Sequence, residues 1–107
     1  MNRMQFSSKE RSRRSRIAQL GSSHRLMRGT LTVRSRRCGK PNCHCARGQL
    51  HVSLYLVQSQ KGKPRQIFVP REWGERVRQA VADYQELQRL VEEISELEWK
   101  RLEERKE

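Results

Sequence analysis

The alternation of apolar and polar residues between Gly29 and Pro70 predicts three β-strands. In T-L-T-V-R-S-R, Leu31 and Val33 alternate with polar neighbours, which is the two-residue period of a half-buried strand. A second strand is predicted in H-V-S-L-Y-L-V-Q-S and a third in Q-I-F-V-P, with the glycine-containing turn Q-K-G-K-P-R between them. The middle of the chain is therefore expected to form a small three-stranded antiparallel sheet.

After Pro70 the spacing of apolar residues changes to that of a helix. Apolar positions recur at steps of three and four, and no proline interrupts residues 71–107. A helix of about 33 residues would be roughly 50 Å long, which is more than three short strands can cover. We therefore expect it to contact a larger protein, or a second copy of the chain in a coiled coil, through Trp73, Val77, Tyr84, Leu87, Val91 and Ile94. A frayed, solvated C-terminal half is the alternative.

Residues 1–20 form a basic arm that is rich in Arg and Ser and has little apolar surface. Its segment S-S-K-E-R-S-R-R-S-R is expected to be disordered when free and to order on an acidic partner. Ile17 and Leu20 allow a short helix after it, which Gly21 is expected to interrupt. The predicted organisation is α+β, with the arm at 1–20, a β module at 21–70 and the long helix at 71–107.

The positive charge is concentrated in the first two thirds of the chain. Residues 1–70 hold 16 Lys and Arg against the single acid Glu10, whereas residues 71–107 hold 8 basic and 11 acidic residues. Such an excess favours a polyanionic partner, because contacts with phosphates release condensed counterions. We expect RNA or DNA to contact the basic residues of the arm, the first strand, the following loop and the hairpin turn: Arg11, Arg13, Arg14, Arg16, Arg34, Arg36, Arg37, Lys40, Arg47, Lys61, Lys63 and Arg65.

Aromatic platforms for base stacking are sparse in the sequence. Tyr55 and Phe68 are expected to lie in the core rather than to stack on bases. Recognition of the nucleic-acid backbone and shape is therefore expected in preference to a sequence code. Charge that serves only solvation is the alternative.

The chain is expected to be cytoplasmic and to have no contact with a membrane. No apolar run is long enough to cross a bilayer, and the first ten residues lack the hydrophobic segment of a secretory signal. In that reducing compartment a cysteine cluster favours metal binding over disulfides. Hydrophobic residues make up only 34% of the chain, so a structural metal would supplement a small core.

All three cysteines lie within eight positions, in R-R-C-G-K-P-N-C-H-C-A-R-G-Q-L-H. Zinc prefers tetrahedral sites made of thiolates and imidazoles. Cys38, Cys43 and Cys45 supply three such ligands in the connection between the first two predicted strands. We therefore expect one Zn²⁺ per chain, in a loop that holds the neighbouring arginines in fixed positions.

The fourth zinc ligand is expected to be His51, six positions after Cys45 at the start of the second strand. It can fold back across the loop, where Gly48 permits a turn. His44 is flanked by two ligands and is expected to point away from the metal, and His24 is a more distant alternative.

Other chemistries for the cluster receive less support. Buried structural cysteines fit poorly among basic and polar loop residues, and an iron–sulfur cluster would need a fourth thiolate or an unusual histidine ligand. A catalytic thiol would gain a lowered pKa from Arg36, Arg37 and Lys40, but the sequence places no acid partner nearby. We expect no enzymatic activity and no small-molecule substrate.

The chain resembles a family of small bacterial proteins known only as a domain of unknown function. The resemblance lies in the cysteine motif, in R-G-T-L at residues 28–31, in the V-P that ends the sheet and in the R-E-W that begins the helix. The family pattern is R-G-[ST]-L, C-G-K-x-x-C-x-C-x-x-G, His, a β-hairpin and a helix, and the resemblance covers residues 28–97. Family members often carry His-Gly-Pro-Tyr where this chain has His51-Val52-Ser53-Leu54. The resemblance implies that the three cysteines and His51 act as one unit, and it implies a setting near mobile elements but no activity.

Two functions follow from these expectations. The first is a zinc-stabilised, non-enzymatic nucleic-acid-binding accessory protein that works with a protein partner. The second is a protein-interaction adaptor that uses the C-terminal helix, with the basic face of the chain meeting an acidic protein surface.

Overall fold

The structure is a computed structural model, and it describes residues 6–36 and 51–105 of the chain. The predicted α+β class, with a three-stranded antiparallel sheet and a long C-terminal helix, is confirmed. In chain order the elements are α1 (Ser8–Ser23), β1 (Thr30–Arg36), β2 (His51–Gln60), β3 (Lys63–Val69), a 3₁₀ turn (Arg71–Trp73) and α2 (Gly74–Glu104). Among the described residues, neither helix combines the length and apolarity needed to cross a membrane.

The sheet is an antiparallel meander in the order β1-β2-β3. Its β1–β2 register ends with Arg36 opposite His51, so residues 37–50 connect two positions that are neighbours across the ladder. The β2–β3 connection is a two-residue turn, in which Lys61 has φ 52° and Gly62 has φ 78°. Two successive positive φ angles match the right-handed twist of the flanking strands, and glycine adopts such an angle without steric cost.

Gly29 lies immediately before β1, where the backbone passes very close to β2. A Cβ atom at this position would lie 2.8 Å from Leu56 Cδ1 and 3.0 Å from the Val57 carbonyl oxygen. On the preceding residue, the Arg28 carbonyl accepts a 2.6 Å hydrogen bond from Gln58 Nε2, and the Arg28 guanidinium donates to the Ser59 carbonyl at 3.0 Å. The R-G-T sequence therefore fixes where β1 begins against β2.

The register divides the sheet into two chemically different faces, because directly paired residues share a face. The apolar face carries Leu31, Val33, Leu54, Leu56, Ile67 and Val69. Leu56 and Val69 are buried, and a Cβ at Gly74, in the first turn of α2, would lie 3.9 Å from Leu54 Cδ2. The other face, which we call the polar–aromatic face, carries Thr32, Arg34, Ser53, Tyr55, Gln66 and Phe68.

The chain divides into two compact units. Met1–Met27 and Ala82–Glu107 form one, which we call the helical unit, and Arg28–Val81 form the other, the sheet unit. Buried residues of the helical unit include Leu20 and Leu90 together with the charged Glu10 and Asp83. In the sheet unit the buried apolar residues are Leu56, Val69, Val77, Ala80 and Val81.

The expectation that the segment S-S-K-E-R-S-R-R-S-R at residues 7–16 is disordered is wrong from Ser8 onward, because α1 begins there and runs through Gly21 to Ser23. Its N-terminus is capped by Ser7, whose hydroxyl accepts a 3.2 Å hydrogen bond from the Glu10 amide. Apolar burial along α1 is small, as the composition indicates. Ion pairs join α1 to α2 instead, and they include the buried Glu10 with Arg101 as well as the partly exposed Arg13 with Glu93 and Arg16 with Glu86.

Candidate nucleic-acid interface

The two units carry very different charges. The helical unit has 12 Lys and Arg against 10 Asp and Glu, a net charge of +2. The sheet unit has 12 Lys and Arg against 2 Glu, a net charge of +10. Most of the excess positive charge of the protein therefore belongs to the sheet unit, because acidic residues of α2 offset the cations of the arm of residues 1–20 within the helical unit.

Three arginines of α1 that the sequence assigns to nucleic acid form ion pairs inside the helical unit. Arg13 Nε lies 2.8 Å from Glu93 Oε2. Arg16 forms a two-pronged pair with Glu86, at 2.9 and 3.0 Å. The hydrogen bond from Arg16 lowers the pKa of Glu86, and the same bond raises the pKa of Arg16. These cations have carboxylate partners within their own unit.

The third arginine, Arg14, belongs to a cluster around the buried carboxylate of Glu10. The Glu10 side chain has no solvent exposure and accepts hydrogen bonds from Arg14 at 3.1 and 3.2 Å and from Arg101. The Arg101 bond is the largest cause of the lowered pKa of Glu10, against the opposing effect of burial. Arg14 also lies 4.0 Å over the Phe6 ring. Arg11 is exposed, and no ion pair of it occurs among the described residues.

The polar–aromatic face presents a cluster of a guanidinium, two aromatic rings and an amide. The Arg34 guanidinium lies 4.8 Å over the Tyr55 ring and donates a hydrogen bond to Gln66 Oε1. The Tyr55 and Phe68 rings meet edge to face, with centroids 5.8 Å apart and planes at 68°. Arg34, Ser35, Ser53 and Tyr55 line a recess of about 390 Å³.

Phe68 does not lie in the core, contrary to the sequence-based expectation. Phe68 is 52% exposed, whereas Tyr55 is half-buried. The reason is positional, because β3 is an edge strand and Phe68 falls on the polar–aromatic face, whereas the next residue, Val69, takes the buried position. The structure therefore brings Arg34, one of the predicted nucleic-acid contacts, together with an exposed aromatic ring.

Three further predicted contacts, Lys61, Lys63 and Arg65, lie at the β2–β3 turn and are all exposed. Within the described part of the sheet unit, Arg78 forms an ion pair with Glu75 at 3.5 Å. Lys61, Lys63 and Arg65 form no ion pair there. Their positive charges are therefore open to an external anion in the part of the chain that the structure describes.

The predicted metal site falls almost entirely outside the described residues. Cys38, Cys43 and Cys45 lie there, as do Arg37, Lys40, His44 and Arg47. Arg36 and His51 are described as paired backbone positions at the end of the ladder. Among the described side chains no group of three or more His, Cys, Asp or Glu could hold a metal ion. His24, the distant alternative ligand, has its Nδ1 2.8 Å from Asp83 Oδ2 in the helical unit.

The apolar residues predicted to contact a partner have different exposures. Val77 is buried, Tyr84, Leu87 and Ile94 are half-buried, and Val91 is 47% exposed. Trp73 is exposed in the 3₁₀ turn, with the Arg76 guanidinium 4.3 Å over its ring. Sequence periodicity did not single out the most exposed large apolar residues of α2, which are Trp99 and Leu102.

Comparison with curated proteins and with solved structures finds no match to this chain. Comparison with protein families does find one, over residues 7–79, which span α1, the sheet and the first turns of α2. The chain belongs to the family described as "Domain of unknown function (DUF6788)".

Proposed function

We propose that the chain is a zinc-stabilised, non-enzymatic nucleic-acid-binding protein that acts as an accessory to a protein partner. The observation that carries this proposal is the net charge of +10 on the sheet unit, with Arg34, Lys61, Lys63 and Arg65 exposed on it. A compact unit with this excess attracts a polyanion, and RNA or DNA gains affinity by counterion release. The paired arginines of α1 have a structural role in this proposal.

The zinc component rests on the donor set and on the end of the β1–β2 ladder. Three thiolates and an imidazole form a set that Zn²⁺ prefers, and Cys38 follows the ladder residue Arg36 by two positions in the chain. Arg36 pairs with His51 in the ladder. Cys38, the first proposed ligand, therefore lies two residues along the chain from the backbone partner of His51, the last proposed ligand. Cys38, Cys43, Cys45 and His51 would hold the ion, which would stiffen the loop and position its basic residues.

A charge-matched pair of variants tests the nucleic-acid proposal. The first replaces Lys61, Lys63 and Arg65 by glutamine, and the second replaces Arg89 and Lys100 of α2, together with Arg105 immediately after it, by glutamine. Both remove three positive charges, but only the first removes them from the sheet unit. Affinity for labelled RNA and DNA is measured by fluorescence anisotropy over a range of salt concentrations.

The wild-type protein is expected to bind with an affinity that falls steeply with salt. In the hairpin variant the slope of log K against log salt is expected to fall by about 2, because each lost phosphate contact removes about 0.7–0.9. The α2 variant is expected to keep the wild-type slope. An equal loss of affinity in the two variants would show that binding depends only on the net charge of the chain and not on the sheet unit. An affinity that does not change with salt would overturn the proposal.

A second candidate function is a protein-interaction adaptor, which the exposed apolar residues of α2 favour. Val91, Trp99 and Leu102 are 47%, 62% and 72% exposed, and their spacing places them on one stripe of the helix. In this function the stripe contacts a larger protein, and the basic sheet unit meets an acidic surface of that protein. The test is co-purification of the wild type and of the variant Trp99→Glu. A protein that is recovered with the wild type but not with the variant, in a sample free of nucleic acid, would favour the adaptor.

A further inference from the structure

We propose that the polar–aromatic face binds unpaired bases of single-stranded nucleic acid, with Phe68 as the stacking ring and Arg34 beside it. The inference rests on the proposed function and names its substrate class. It differs from the backbone and shape recognition expected from the sequence, because here the bases themselves contact the protein.

The exposure of Phe68 is the first support. A phenylalanine that is 52% exposed on an antiparallel sheet leaves apolar surface open to solvent, although burial of that surface would be favourable. Every nucleobase has a π face, so stacking on such a ring is tolerant of sequence. Tyr55 meets Phe68 edge to face and supports the ring from the adjacent strand.

Arg34 is the second support, because its guanidinium lies over the Tyr55 ring, which in turn meets the Phe68 ring. The guanidinium is 4.8 Å from the Tyr55 centroid, and Gln66 accepts one of its hydrogen bonds. A guanidinium held in this way can stack on a base and can also pair with a phosphate. One bound nucleotide can make both contacts, through its base and its phosphate, when its base is unpaired.

The polar groups around the rings are the third support. Thr32 and Ser53 place hydroxyl groups on the same face, and the Gln66 amide retains its donors after its oxygen accepts from Arg34. These groups match the Watson–Crick edges of bases, which are free only in unpaired nucleic acid. The recess of about 390 Å³ beside Tyr55 falls within the size range of small-molecule sites.

The hairpin turn extends this surface along β2 through Lys61 at its tip, because the register places Lys63 and Arg65, opposite Gln60 and Gln58, on the apolar face. From Ser53 to Lys61 the chain advances eight residues, or roughly 27 Å at the rise of an antiparallel strand. A strand that stacks on Phe68 can therefore place further phosphates at the turn, which gives a site of about four nucleotides or more. Duplex nucleic acid could use the cations but not the ring, because its bases are already stacked and paired.

The test uses the full chain and three fluorescein-labelled probes of about 12 nucleotides, a length typical of single-stranded sites. The probes are oligouridylate, oligodeoxythymidylate and a duplex of mixed sequence. The variants are Phe68→Leu, Phe68→Tyr and the control Trp73→Leu, which removes another exposed ring with an arginine over it, Arg76 at 4.3 Å. Anisotropy gives the affinities, circular dichroism checks the fold, and ultraviolet cross-linking with mass spectrometry maps the contacted peptide.

Both single strands are expected to bind more tightly than the duplex. Phe68→Leu is expected to weaken single-strand binding by about tenfold, the loss of one stacked base, and to leave duplex affinity unchanged. Phe68→Tyr and Trp73→Leu are expected to keep the wild-type affinities. The cross-linked peptide is expected to contain Phe68 or Tyr55, and tighter binding of RNA than DNA would assign a contact to the 2′-hydroxyl.

Two failures are distinguishable. If all probes bind with steep salt dependence, the duplex binds as tightly as the single strands and Phe68→Leu changes nothing, the stacking inference is overturned while nucleic-acid binding stands. If no probe binds, the proposed function itself fails. Should Phe68→Leu lose its fold, the preference for single strands over the duplex and the cross-linked peptide decide the matter.

Discussion

Replacing Glu10 by glutamine is expected to destabilise the helical unit far more than any exposed ion pair of the same unit would. The substitution keeps the shape of the side chain but removes the negative charge that faces Arg14 and Arg101. Breaking a buried ion pair from one side typically costs about 3–5 kcal/mol, because the remaining charge stays desolvated. The Arg101 and Arg14 side chains are 20% and 39% exposed, so water can reach them in part and the lower value, about 3 kcal/mol, applies.

A loss of about 3 kcal/mol is large against the roughly 5–15 kcal/mol by which native proteins are stable. It corresponds to a fall in the unfolding midpoint on the order of 10–20 °C for a unit of this size. Urea unfolding followed by circular dichroism, together with thermal unfolding, measures both quantities. The double variant Glu10→Gln, Arg101→Met is expected to lose less than the sum of its single variants, because it removes both charges.

Glu86→Gln is the matched control for this prediction. Glu86 also pairs with an arginine of α1, Arg16, but both side chains are partly exposed, at 29% and 37%. Exposed pairs contribute at most about 1 kcal/mol, so the control is expected to unfold close to the wild type. Equal effects of the Glu10 and Glu86 variants would refute the argument that burial makes the Glu10 cluster decisive.

The remaining predictions concern pH, the start of β1 and the metal. Because the pKa of Glu10 is lowered below its ordinary 4.5, its contribution is fully present above about pH 5 and is lost as the pH falls through the lowered value. Acid unfolding of the wild type is therefore expected to be steeper than that of Glu10→Gln, and parallel curves would contradict this. Gly29→Ala is expected to cost about 1–3 kcal/mol in urea unfolding, because its methyl group would meet β2 at 2.8 Å. Gly21→Ala in α1 has open space and is expected to stabilise by up to about 1 kcal/mol. Metal analysis is expected to find one Zn²⁺ per chain, lost with thermal stability in Cys43→Ala and His51→Ala, and a folded, metal-free chain in excess chelator would contradict the zinc proposal.

The sheet and α2 could be predicted from the sequence because their signals are local. Leu31 and Val33 alternate with polar residues within β1, and the apolar steps after Pro70 continue over many turns. The K-G turn between β2 and β3 is also a local signal, since glycine supplies the positive φ that such a turn needs.

The ordered α1 could not be predicted in the same way. Its composition predicts disorder, because arginine and serine bury little apolar surface. The partners that stabilise it are far away in the chain, since Glu93 is 80 residues from Arg13 and Arg101 is 91 residues from Glu10. Charge counts along the sequence cannot show which opposite charges meet.

The site on the sheet was partly visible in the sequence. Alternation places Arg34, Tyr55 and Phe68 on one face of the sheet, once the register is known. Periodicity shows which residues share a face but not which face is covered, so it does not show that Phe68 lies outside the core. A basic residue in phase with Tyr55 was the signal that this face is open to solvent.

The pairing of Arg36 with His51 concentrates an entropic cost at one end of the sheet. The 14 residues between them are constrained to close a loop, and closure of that length costs about 2 kcal/mol beyond its constant part. The two-residue connection at the other end of β2 closes a much shorter loop, and its closure cost is correspondingly smaller. Amide hydrogens near Arg36 are therefore expected to exchange faster than those near Lys61, and a ligand that restrains the connection should slow the exchange there first.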